Sequence, residues 1–172
     1  MPHAAWITGP ILSLCIAAVT AAAEPTRTPA EHAKVDSFVA SPLSWPEPLS
    51  LVDLRKAGTV ISETSRLLAN RHDSKQQDEV RALGFDGLLV EVVFPNRDYD
   101  HGLIFHIVVT KPLWKMQHGI AVGTNVKELE TVLGQPDERE SGRMKYCGDR
   151  ACGVFFVRDN RIVRVEFENP VD

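Results

Sequence analysis

The sequence predicts an α+β domain in which helices pack on one face of an antiparallel sheet, giving two layers built from two related helix-plus-meander units. Three observations carry this expectation. A helix with one apolar stripe precedes three strand-like runs near the C-terminus, a similar series of strand-like runs occupies the middle of the chain, and a short segment repeats between the two halves.

Residues 1–23 read as a signal peptide. Ile7 to Ala23 is apolar and free of charged side chains, and it ends in Thr20-Ala21-Ala22-Ala23, small residues suited to cleavage before Glu24. The run is shorter than the ~20 residues a membrane span needs, so no stable span is expected after cleavage. Leu14 before Cys15 is too large for a lipobox. Residues 24–48 hold five of the chain's prolines and no sustained periodicity, which predicts a flexible leader with a short ordered patch around Phe38 and Trp45.

Residues 49–172 are then expected to form one domain, with tandem units at about 49–112 and 113–172. Gly58 to Ala69 lies over Gly123 to Gly134 without a gap, at a constant offset of 65 positions, sharing Gly, Thr, Glu and Leu. This alignment predicts that residues 58–69 are a helix like their counterpart. A charged connection, residues 70–78, follows. Strands are expected at Glu79 to Leu83, Leu88 to Phe94 and Leu103 to Thr110, with a bend at residues 84–87 and a polar hairpin tip from Pro95 to Gly102.

In the second unit Val126, Leu129, Val132 and Leu133 recur at spacings of three and four. Thr124 or Asn125 can cap this helix, and Gly134 with Pro136 ends it. Strands follow at Arg143 to Cys147, Gly153 to Arg158 and Ile162 to Phe167. Asp159-Asn160 makes the last tight turn, and the face of Val163, Val165 and Phe167 is expected to meet the core.

Removal of Cys15 with the signal peptide leaves Cys147 and Cys152, an even number in an oxidising compartment. Gly148-Asp149-Arg150-Ala151 between them is turn-rich, so a disulfide across a hairpin is expected, contributing about 2 kcal/mol. The net charge of −4 is spread along the chain, which argues against nucleic acid as a partner.

Gly119-Ile120-Ala121-Val122-Gly123-Thr124, then Glu128-Leu129, then Val132-Leu133-Gly134-Gln135-Pro136, resembles a segment of small exported bacterial domains. These are the outer-membrane lipoprotein SmpA/OmlA group and domains like the β-lactamase inhibitory protein. The resemblance covers the C-terminal third and, more weakly, the first half. It implies a two-layer α/β fold used to bind other proteins or the envelope. The lipidated cysteine of the lipoprotein group is missing here, and no binding residue carries over.

Few residues suggest chemistry. Asp98, Asp100 and His101, with His106 on the next strand, have metal-ligand character but read as a solvated turn, since strand alternation sends the two histidines to opposite faces without a bulge. His72-Asp73-Ser74 reads as a polar loop, and Glu128 with Glu130 as a solvated helix face. Trp114, with Lys111, Lys115 and His118 around it, is the candidate binding surface, against the plainer reading that Trp114 caps the core. The expected function is therefore non-enzymatic binding of an envelope or secreted protein by an exported, periplasmic domain without a cofactor. The alternative is a hydrolase or small-ligand-binding protein whose site is assembled from distant loops.

Overall fold

The computed structural model describes residues 27–70, 73 and 75–170. The expected signal peptide lies outside the described residues. No described helix is long and apolar enough to cross a membrane.

The segment expected to be a flexible leader opens instead with a helix, α1, at Pro29–Ala40. Thr28 caps it in a reciprocal capping box with Glu31, and Pro29 occupies the first turn, where its missing N–H costs nothing. Val35, Phe38 and Val39 share one face and are completely buried. Proline count misled the reading because one of the five starts a helix. A short helix, α2, follows at Leu51–Lys56, capped by Ser50 and burying Leu51 and Leu54.

Residues expected as the first unit's helix are also different: Ser62–Ala69 is a strand, β1. It pairs along its whole length with β2, Gln77–Phe85. Pairing of backbone to backbone overrides the helical look of this segment, whose match to residues 123–134 thus joins a strand to a helix. The next strands are β3, Leu88–Phe94, and β4, Leu103–Val109.

Helix α3, Val126–Leu133, takes its cap from Asn125 and ends at Gly134, whose φ of 77° explains the glycine. It is followed by β5, Glu138–Glu140; β6, Arg143–Cys147; β7, Cys152–Arg158; and β8, Arg161–Glu168. All eight strands form one antiparallel sheet in the order β1-β2-β3-β4-β8-β7-β6-β5. Two four-strand meanders thus meet where His106 to Val109 pair with Glu168 to Val165. Each meander is preceded by a helix, α2 or α3.

Strand alternation sorts the side chains. Leu83, Phe85, Val90, Val92, Phe94, Ile107, Val109, Tyr146, Phe155, Val165 and Phe167 enter one core with Phe38, Leu54 and Leu129 from the helices. All three helices therefore cover the same face. Phe38 lies against Phe155 and Phe167 at centroid distances of 6.2 and 5.9 Å. One expectation for β8 needs correction: Val163 is 38% exposed and Ile162 is buried at 1%. The register shifts between Phe156 and Val157, which returns Ile162 to the core side beyond the irregularity. Asp159 and Asn160 form the turn with φ of 51° and 59°.

The Cys147–Cys152 disulfide closes between residues directly opposite each other on β6 and β7. Its hairpin is tied down by α1 and the residue before its cap. Arg27 donates to the Cys147 carbonyl at 3.3 Å and pairs with Asp137 at 3.0 Å, and His32 meets Asp149 at 2.8 Å.

Candidate functional site on the open face of the sheet

No described helix covers the opposite face of the sheet. Its centre is read off the register: Arg66 stands opposite Val80, Val80 opposite Val93, Glu91 opposite His106, and His106 opposite Glu168. These side chains line a groove of about 490 Å³, together with Leu68, Phe105, Asn169 and Pro170. Apolar side chains, among them Leu68, Val80, Val93 and Phe105, share its lining with the polar Arg66, Glu91, His106, Glu168 and Asn169.

Phe105 reaches the groove through an irregularity. Between β3 and β4 the register passes from Glu91↔His106 to Val92↔Ile104, so Phe105 is an extra residue. Beside it, His106 Nδ1 and Glu91 Oε2 are 3.0 Å apart, each about a quarter exposed. The side chains of Glu168 and Arg66 carry no hydrogen bond or ion pair to a described residue. The groove thus offers a cation, carboxylates and an imidazole over hydrophobic side chains. Such a set of groups can form ion pairs and hydrogen bonds beside an apolar surface.

A second polar cluster lies on the helix side. Glu79, 3% exposed, accepts from the Tyr99 hydroxyl at 2.6 Å and pairs with Arg81 at 2.9 Å. Arg81 also reaches Glu63, which Arg55 of α2 holds from the other side. The Tyr99 hydrogen bond, joined by Arg81, Ser65 and Arg97, holds the Glu79 carboxyl below the usual carboxylate range against the opposing effect of burial. Glu79 is ionised at neutral pH, and the ion pairs linking Glu79, Arg81, Glu63 and Arg55 in turn fasten β2, β1 and α2 together.

The residues singled out around Trp114 are only partly gathered. Trp114 Nε1 donates to the Asp86 carbonyl at 2.8 Å, and its ring meets Phe85 edge-on at 5.6 Å. It also stands over Gly58, where an added Cβ would lie 3.2 Å from the indole. Lys111 joins the same Asp86 at 2.5 Å. Lys115 is exposed, and His118 stacks on Phe38 at 6.4 Å, away from that cluster. The indole is half-buried and much of its surface is occupied within the fold.

Among the described residues no three His, Cys, Asp or Glu side chains could share a metal. His101 is tied to Asp98 at 2.8 Å, apart from His106, so the irregularity at Phe105 does not unite the two histidines. His72 and Ser74 lie outside the described residues, and Asp73 belongs to the turn after β1, its N–H donating to Asn70. Glu130 pairs with Arg139 on the surface.

Of the groove residues, reading the sequence singled out only His106, and that as a metal-ligand candidate beside His101; Arg66, Glu91, Phe105 and Glu168 were missed. A signal for a polar pair existed all the same. Glu91 and His106 are the lone ionisable side chains in Leu88–Phe94 and Leu103–Val109, runs otherwise wholly apolar. A charge kept inside a central strand calls for a partner.

Comparison with protein-family models, with curated proteins and with solved structures gave no match to this chain.

Proposed function

We propose that this chain is an exported, non-enzymatic binding domain whose open sheet face takes another envelope or secreted protein. The observation that carries this reading is the unequal treatment of the two faces. Three helices and a continuous core cover one, while the other presents a partly apolar groove in which the side chains of Arg66 and Glu168 have no partner among the described residues. A closed disulfide supports residence in an oxidising compartment such as the periplasm. The recurrence of one helix followed by four antiparallel strands supports reading the halves as related units, as the resemblance to the SmpA/OmlA-like domains implies.

The test is affinity capture from envelope extract with residues 24–172, comparing the parent with Phe105→Asp and Trp114→Ala after circular dichroism shows each folded. A partner lost only in Phe105→Asp supports the open face. Loss only in Trp114→Ala moves the surface to the Asp86 cluster and sinks this reading.

A second reading is favoured by the groove's size, which falls within the range of roughly 300–1,000 Å³ typical of small-molecule sites. Native mass spectrometry of the purified chain checks it: a retained organic molecule, released by Phe105→Asp, would favour a ligand-binding protein.

A further inference from the structure

The two edges of the sheet are unlike. At one end β5 is only three residues long, and each is charged: Glu138, Arg139 and Glu140. Such an edge resists pairing with another chain. At the other end β1 runs for eight residues, all exposed, and bonds to β2 on one side only. About half of its backbone N–H and C=O groups point away from the sheet. Among the described residues, no backbone hydrogen bond joins that outer edge to another element. Polar side chains make up most of the strand, Ser62 to Arg66, but three large hydrophobic side chains stand exposed at its ends, Ile61 68%, Leu67 53% and Leu68 37%.

We infer that the partner supplies an extended segment that adds to β1 as a ninth antiparallel strand, with two adjacent apolar residues followed by an acidic one. The register dictates this order. In an antiparallel strand the residues opposite Leu68, Leu67 and Arg66 follow one another from N to C. The first lies on the open-face side and covers Leu68. The second lies on the helix side and covers Leu67. The third returns to the open-face side, where Arg66 lacks a carboxylate partner among the described residues. Main-chain hydrogen bonds give such a segment its affinity, and the alternating side chains give it specificity. This inference rests on the reading that the open face takes a protein, and brings that protein to the rim of the groove.

The probe is a capped, fluorescent peptide, Thr-Val-Val-Glu-Thr-Thr-Lys-Thr, titrated against the full chain with its disulfide intact. Saturable binding with new amide protection confined to β1 is expected in hydrogen exchange. Arg66→Glu should weaken binding about fivefold, and replacing the peptide's Glu by Lys should restore it in that variant. Two further peptides, N-methylated on alternate sets of residues, should differ, since only one set faces β1. No binding, equal effects of the two methylated sets, protection elsewhere, or a dimer joined through β1 that excludes the peptide would each overturn the inference. The failures are separable: capture lost in Phe105→Asp with a peptide silent at β1 overturns the ninth strand alone. A peptide bound at β1 with capture indifferent to Phe105 overturns the face reading alone.

Discussion

Asp36 on α1 accepts a hydrogen bond at 2.8 Å from the backbone N–H of Asp149, 113 residues away in the disulfide hairpin. The approach is close enough that a Cβ added at Gly148 would lie 2.4 Å from Asp36 Oδ1 and 2.6 Å from its Cα. Gly148→Ala must therefore push the hairpin off α1, at a cost of about 1–3 kcal/mol. Urea unfolding checks this, and an unchanged midpoint would show that the hairpin does not rest on the helix.

The disulfide encloses a short loop, so its removal should be mild. Cys147→Ser with Cys152→Ser should lose about 2 kcal/mol and keep the native fold. Near-ultraviolet circular dichroism and thermal melting together measure both halves of that expectation.

Phe38 is wholly buried between α1 and the sheet. Phe38→Ala should cost about 3–5 kcal/mol, and a chain beginning at residue 49 should fail to give a cooperative transition. A truncated chain melting like the parent would restore residues 24–48 to the status of a leader.

Glu79 links stability to acid. Its pKa is lowered from the ordinary 4.5, first by the Tyr99 hydroxyl. The folded form therefore binds the proton less well than the unfolded form. This contribution is complete above the ordinary value and disappears as pH falls through the lowered one. Glu79→Gln should be less stable than the parent at neutral pH, and the gap should narrow on acidification. Urea midpoints measured from pH 7 down to pH 3 test the sign.

Much of the fold was legible because its signals are local. The spacing of Val126, Leu129 and Leu133 marks α3, apolar runs mark β3, β4 and β7, and alternation marks β6 and β8. β1 was not legible, since Ser-Glu-Thr-Ser-Arg-Leu-Leu-Ala has no alternation and no buried face to enforce one. The groove was hidden by the same error. Once residues 58–69 read as helix, Arg66 could not be placed in the same groove as Glu91 and Glu168. Phe105 depends on a register irregularity that only pairing between strands creates.

What the sequence determined by itself is therefore the material of the second half: a capped helix, a meander, and two cysteines placed to meet across a hairpin. It also supplied the strands at the centre of the sheet, because burial on one or both faces imposes composition on a segment. Only the tertiary structure decided that Pro29–Ala40 is a core helix, that Ser62–Ala69 is an edge strand, and that Ile162 rather than Val163 faces inward. Those choices depend on contacts between residues far apart in the chain. Phe38 finds Phe155 and Phe167, and β1 takes its shape from β2, so neither outcome is written in local propensity.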